Sequence, residues 1–125
     1  MKKIINTHNA PAAIGPYNQA IEINNMLFIS GQIPISPKEG KIVSLTILEQ
    51  TEQIFSNIEA ILKFAGYSFE NVVKTTVFLT DINHFAAMNE VYKKYFTNNC
   101  PARSTVAVKA LPHGALVEIE TIAIK

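Results

Sequence analysis

A chain of 125 residues, 48% of them hydrophobic and 17% charged, has the size and composition of one domain, 1–125, with a real core and no room for a second. Eleven Lys and Arg against ten Asp and Glu leave a net charge of +1, which gives no electrostatic footprint for nucleic acid or for an anionic membrane. The single cysteine, Cys100, excludes an internal disulfide, and no apolar run reaches the length of a signal-peptide core or a membrane span, so the cytoplasm is the expected compartment.

In chain order, residues 19–23 (QAIEI) and 26–30 (MLFIS) read as two strands joined by Asn24 and Asn25, because asparagine tolerates positive φ. Residues 31–42 (GQIPISPKEGKI) then read as a loop. Across 46–65, Ile47, Thr51, Ile54, Phe55, Ile58, Ile61, Leu62 and Ala65 recur at helical spacing. Thr46 and Glu49 form a candidate capping box for this helix, and Gly66 is its natural stop. Residues 72–80 (VVKTTVFLT) are short and β-branched, which favours a strand. A second helix is expected over about 83–97, with Phe85, Met88, Val91, Tyr92, Tyr95 and Phe96 on one stripe behind the potential caps Asp81 and Asn83. Strands at 104–111 and 116–124 close the chain around the turn PHGA.

Two strand–helix–strand crossovers of the usual handedness place both helices on one side of a single sheet. Yet Phe28, Val77, Phe78, Val106, Ala107, Ile119 and Ile122 supply apolar side chains to both faces, so the helix-free face needs a cover from elsewhere. A cyclic homo-oligomer that buries this face is therefore expected. Alternation in the last strand sends Val117, Ile119, Thr121 and Ala123 to the helix-covered core and Leu116, Glu118, Glu120, Ile122 and Ile124 to the opposite face.

Arg103, in PARSTVAV, stands at the mouth of an otherwise apolar strand. A guanidinium is costly to desolvate unless an anion or a set of acceptors meets it, so this position is either rim decoration or a binding site. Glu118 and Glu120 are either rim carboxylates at a wet interface or carboxylates held near Arg103. In a simple hairpin of the last two strands Glu118 lies opposite about Lys109, roughly 20 Å along the strand from Arg103. For the two to share a site, either the strands are not neighbours or two subunits build it. His8, His84 and His113 match no metal spacing and read as surface or capping residues. No Ser-His-Asp or Cys-His constellation can be argued from the sequence, and no P-loop or dinucleotide-binding glycine pattern is present, so no phosphate-cradling cofactor is expected.

Five ordered motifs, IGPYNQA (14–20), ISGQIP (29–34), MNEVYKKYF (88–96), PARSTVAV (101–108) and ALPHGALVEIETIA (110–123), resemble those of the Rid family, also called YjgF, of reactive intermediate deaminases. The resemblance runs nearly end to end. It implies an α+β, chorismate-mutase-like domain, a mostly antiparallel six-stranded sheet with two helices on one face, assembled as a homotrimer with clefts between subunits. It implies hydrolysis of 2-imino acids and their 2-enamino tautomers to 2-oxo acids and ammonia, with substrate supplied by pyridoxal-phosphate dehydratases. Residue by residue, Arg103 matches the arginine that grips the substrate carboxylate and Glu118 the glutamate that holds or activates water. Tyr17 matches a cleft tyrosine, Ser30 and Gly31 the strand end that meets the ligand, and Asn89 a helix residue reaching in from a neighbour.

Taken singly, Tyr17 fits a surface turn, Gly31 a strand exit and Asn89 a solvated helix position. The sequence departs from the prototype at Thr105, a substrate-side position where prototypical members carry cysteine, which bears on substrate preference and on any thiol-dependent side activity. Two competing readings are a non-catalytic module that binds 2-oxo acids in the same clefts and an endoribonuclease or translation inhibitor. The balanced charge and the lack of a basic stripe or stacking platform weigh against the latter.

Overall fold

The computed structural model describes residues 1–125 as an α+β fold. Its elements are β1 (Lys3–Ile5), β2 (Ala20–Ile23), β3 (Met26–Gln32), β4 (Ile35–Ser36), β5 (Lys41–Ile42), α1 (Ile47–Ala65), β6 (Val72–Leu79), α2 (Phe85–Tyr95), β7 (Ala102–Ala107) and β8 (Val117–Ile124). Six strands form one sheet in the order β1-β2-β3-β8-β6-β7, in which only β6 and β7 run parallel; β4 and β5 make a separate small hairpin. No helix is long and apolar enough to cross a membrane.

Local chemistry accounts for most of these boundaries. Asn24 and Asn25 both take positive φ, 49° and 63°, and close the β2–β3 hairpin. Thr46 accepts the Glu49 backbone N–H at 3.2 Å, so the N-cap forms, but the Glu49 carboxylate takes the Thr46 hydroxyl at 3.0 Å rather than its backbone N–H, so the expected capping box is only half made. Gly66, at φ 84°, ends α1 in the left-handed conformation. The buried face of α1 contains Ile54, Phe55, Ile58, Ile61 and Leu62, and meets Leu27, Ile29, Val77, Val117 and Ile119 from the sheet in one apolar core.

Four expectations from the sequence differ from the structure. Residues 31–42 are not all loop: β3 continues through Gln32, and β4 and β5 pair beyond it, because Ile35 and Ile42 can face each other across the 37–40 turn. A strand at Lys3–Ile5, too short to show alternation, adds the sixth member of the sheet. The second helix is shorter than 83–97; a 3-10 turn, Ile82–His84, capped by Asp81, leads into α2, which ends at Tyr95. The strand placed at 104–111 is β7, shifted to Ala102–Ala107. The turn expected at PHGA is present as a 3-10 turn, Pro112–Gly114, and of the arrangements left open for the last two strands they are not neighbours, since β6 lies between β7 and β8.

Both helices cover one face of the sheet, and the alternation in β8 holds: Val117, Ile119, Thr121 and Ala123 are buried, while Glu118, Glu120, Ile122 and Ile124 face the open side. That side keeps Phe28 at 38%, Val106 at 43% and Ile124 at 42% exposure, an unusual density of apolar surface on a sheet.

Three buried amides tie loops to this frame. Gln19 donates from Nε2 to the carbonyls of Thr7, Ala10 and Pro11 and accepts the Thr7 N–H at 2.7 Å, which folds the 7–18 loop onto β2. Asn57 of α1 donates to the Ile35 carbonyl at 2.9 Å, and Gln50 accepts the Leu116 N–H at 2.8 Å just before β8. Replacing Gln19 with Ala strands these buried loop carbonyls, and urea denaturation is expected to show a loss of about 2–3 kcal/mol.

Candidate active site

A groove of about 720 Å³ opens where β3 leaves the sheet and β8 enters it. Its walls include Ile14 and Tyr17 from the N-terminal loop, Ser30 and Gly31 from β3, Ile33 and Ile35 beyond it, His113 from the 3-10 turn, and Glu118 and Glu120 from β8. Four residues singled out from sequence, Tyr17, Ser30, Gly31 and Glu118, therefore meet in one place.

A β-bulge builds this corner. Ile29 pairs with Thr121 and Gln32 with Ile119, so Ser30 and Gly31 together oppose the single residue Glu120. The extra residue bends β3 away and brings bare backbone under the neighbouring carboxylate. A Cβ on Gly31 would collide with Glu118 Oε2 and lie 2.9 Å from Glu118 Cδ. The glycine leaves the Glu118 carboxylate its place, and a larger residue would push that carboxylate aside. Ser30 fastens the bulge to the N-terminal loop, with its Oγ donating to the Asn18 carbonyl at 2.6 Å and its N–H to the Gln19 carbonyl at 2.9 Å. Tyr17 follows Gly15, whose φ of 124° turns the chain so that the ring packs back over Gly15 and lines the groove.

Glu118 is partly buried and makes no ion pair. Desolvation, reinforced by repulsion from Glu120, pushes its carboxyl above the usual carboxylate range. A carboxylate with raised proton affinity, beside open space, is suited to taking a proton from water.

Arg103, Asn89 and Thr105 lie elsewhere in the chain. Arg103 on β7 pairs with Thr75, which also pairs with Thr121, whereas Glu118 pairs with Phe78 and Phe78 with Val106. Arg103 and Thr105 thus point to the helix side of the sheet and Glu118 to the opposite side. The two never share a site within one chain. Arg103 instead meets α2: Nη1 donates to Asn89 Oδ1 at 2.7 Å, and the guanidinium carbon stands 4.6 Å from the Tyr92 ring centroid and 5.2 Å from that of Phe85. It is the only arginine in the sequence, half-buried and without an ion pair. The Thr105 hydroxyl oxygen, next along the same face, is buried with no hydrogen-bond partner.

Sequence reasoning misses several of these residues. Tyr92 and Phe85 read as members of a core stripe, and nothing in their spacing aligns them with Arg103. His113 reads as a turn residue; its left-handed φ of 59° in the wall of the groove is a tertiary fact. Gln19, a polar residue opening an alternating strand, carries a weak signal that it is buried. No cluster of three or more His, Cys, Asp or Glu is placed to hold a metal ion.

The family model described as Endoribonuclease L-PSP matches residues 7–125. A RutC family protein of Pyrococcus horikoshii is 57% identical over 125 residues, covering 100% of this chain and 99% of that protein. The human 2-iminobutanoate/2-iminopropanoate deaminase is 49% identical over 125 residues, covering 100% of this chain and 91% of the human protein. Among solved structures, a Yersinia pestis protein of the conserved Rid family, YyfA, superposes with a TM-score of 0.97 at 52% identity, with 100% of each chain covered.

Two outcomes follow from the corner at Gly31. Gly31→Ala displaces the Glu118 carboxylate and is expected to remove most activity while the far-ultraviolet circular dichroism spectrum stays native. Because the folded-state pKa of Glu118 is raised, the wild type loses this group's contribution to stability as pH rises through the unfolded and then the folded value. Glu118→Gln does not titrate, so denaturation midpoints are expected to favour the variant at neutral pH and to converge with wild type in acid.

Proposed function

The chain belongs to the Rid/YjgF family, whose model carries the description Endoribonuclease L-PSP, and from that premise we propose that it hydrolyses 2-imino acids and 2-enamino acids to 2-oxo acids and ammonia. The observation that carries the reading is the sole arginine, half-buried and unpaired, answered elsewhere in the chain by a groove holding a carboxylate of raised proton affinity. An anionic substrate fits the first and a water-activating base the second.

The two half-sites face opposite sides of the sheet, so a complete site needs a second copy. One protomer supplies Arg103, its fork held by Asn89, with Thr105 beside it; its neighbour supplies Tyr17, Ser30, Gly31 and Glu118. The apolar helix-free face supports such an assembly, and a cyclic trimer gives every protomer both roles. β7 is the last strand of the sheet, so Arg103 lies at an edge that a neighbouring protomer can approach.

In the reaction, Arg103 binds the substrate carboxylate through its planar fork, which fixes the adjacent C=N bond against Glu118. Glu118 takes a proton from water as the oxygen attacks the imine carbon. Glu118 returns that proton to nitrogen, giving a carbinolamine; the remaining hydroxyl proton then moves to nitrogen as the C–N bond breaks and the C=O bond forms, and ammonia and the 2-oxo acid leave. Water balances the equation, and the electrophile is the imine carbon itself. Pyridoxal-phosphate dehydratases, which release enamines, fit as a source of substrate. The acidic groove and the balanced charge offer RNA no basic track, despite the family description.

With an imino acid generated by an amino-acid oxidase, added protein is expected to accelerate 2-oxo acid formation. Arg103→Ala is expected to lower kcat/KM about a hundredfold, the scale of a lost charge-assisted hydrogen-bonded pair. An undiminished rate rejects the assignment. Thermal stabilisation by 2-oxobutanoate with no turnover points instead to a binding module. Light scattering is expected to report a trimer of the 13.8 kDa chain, and a monomer removes the basis for a shared site.

A further inference from the structure

A long charged side chain at a sheet edge ordinarily samples many rotamers, and ordering it costs binding energy each time a ligand arrives. Arg103 is not in that state. Its guanidinium lies 4.6 Å from the Tyr92 ring centroid and 5.2 Å from the Phe85 ring centroid, with one N–H already taken by Asn89 Oδ1 at 2.7 Å. Of the five N–H donors on a guanidinium, most remain free for a second acceptor.

The support behind this arrangement is rigid. Tyr92 is only 6% exposed, and its hydroxyl shares a buried 2.7 Å hydrogen bond with Thr75 Oγ1 on β6. Its ring packs edge-on against Phe55 at 5.7 Å and tilted against Phe96 at 4.8 Å. Thr75 is also the residue that pairs with Arg103 across the sheet, so the strand and the helix hold the same arginine from two directions. Asn89 is neutral, and it orients the fork without consuming its charge as Asp or Glu would.

We propose that Tyr92, Phe85 and Asn89 are positioning residues that preorganise Arg103, and that they set the affinity for the substrate carboxylate without touching substrate. The inference rests on the assignment of Arg103 as the carboxylate-binding group. Rings hold the guanidinium by cation–π attraction, Asn89 fixes its rotation, and Thr75 fixes Tyr92. The ligand then meets a fork whose ordering cost was met during folding.

The test compares Tyr92→Phe, Tyr92→Leu, Phe85→Leu, Asn89→Asp and Arg103→Ala in steady-state kinetics on 2-iminopropanoate and 2-imino-4-methylpentanoate. Tyr92→Leu is expected to raise KM about tenfold and Phe85→Leu about threefold, with kcat within twofold of wild type. Tyr92→Phe keeps the ring but loses the Thr75 hydrogen bond, so its KM is expected to lie between those of wild type and Tyr92→Leu. Asn89→Asp places an anion on the fork, so KM is expected to rise more than tenfold while the melting temperature holds or increases, a divergence that a purely structural role would not produce. The factors are expected to match for the two substrates, because the carboxylate is common to both; a factor that follows side-chain size shows direct contact with substrate and overturns the proposal. So does an unchanged KM in folded Tyr92→Leu and Phe85→Leu proteins when Arg103→Ala shows its expected loss of kcat/KM. If Tyr92→Leu does not fold, Phe85→Leu on the exposed side of the pair decides by the same criteria. Full activity in Arg103→Ala rejects the underlying assignment, and the inference with it.

Discussion

A carboxylate lying over bare backbone, Glu118 on Gly31, is the contact from which the groove takes its shape. A Cβ on Gly31 would occupy the place of the Glu118 carboxylate, and the approach exists because β3 carries one residue more than its partner across the bulge. From that corner the other parts acquire their positions. Ser30 ties the bulge to Asn18, Gln19 gathers the preceding loop, and Asn57 fixes the Ile35 carbonyl on the exit side. Each is a buried or half-buried polar group with its partners supplied locally, which is how a groove stays open without collapsing into the core.

The second organising feature is the separation of charges by the sheet. Arg103 and Glu118 stand on different faces, two strands and a register apart, so electrostatic attraction within one chain cannot draw them together and quench both. Each is left incompletely satisfied in a different way. The carboxylate is desolvated and repelled by Glu120; the guanidinium has aromatic rings and a neutral amide in place of an anion. The two incompletely satisfied groups, opposite in sign, thus lie on opposite faces of the sheet, and the helix-free face also keeps apolar side chains exposed.

Part of the proposed site is legible in the residues themselves. Arg103 stands out as a charge in an apolar strand, and the period-2 pattern of β8 places Glu118 on the uncovered face. Tyr17, Ser30, Gly31 and Asn89 are visible only through resemblance, since each has an ordinary local explanation. Phe85 and Tyr92 are hidden by their own periodicity: an aromatic residue at helical spacing looks the same whether it fills a core or holds a cation. His113 is hidden because its backbone conformation depends on how the 112–114 turn docks between strands.

Sequence alone determined the local features: the capped helix ending at Gly66, the asparagine turn, the alternation of β8, and an α+β order of elements. Those follow from interactions between residues close in the chain, where spacing and side-chain type carry the whole argument. Tertiary structure decided that β6 separates β7 from β8, that the bulge opposes two residues to Glu120, and that an arginine leans on two rings from α2. These depend on pairings between distant segments, where a shift of one residue moves a side chain to the other face of the sheet and where no local preference chooses the register.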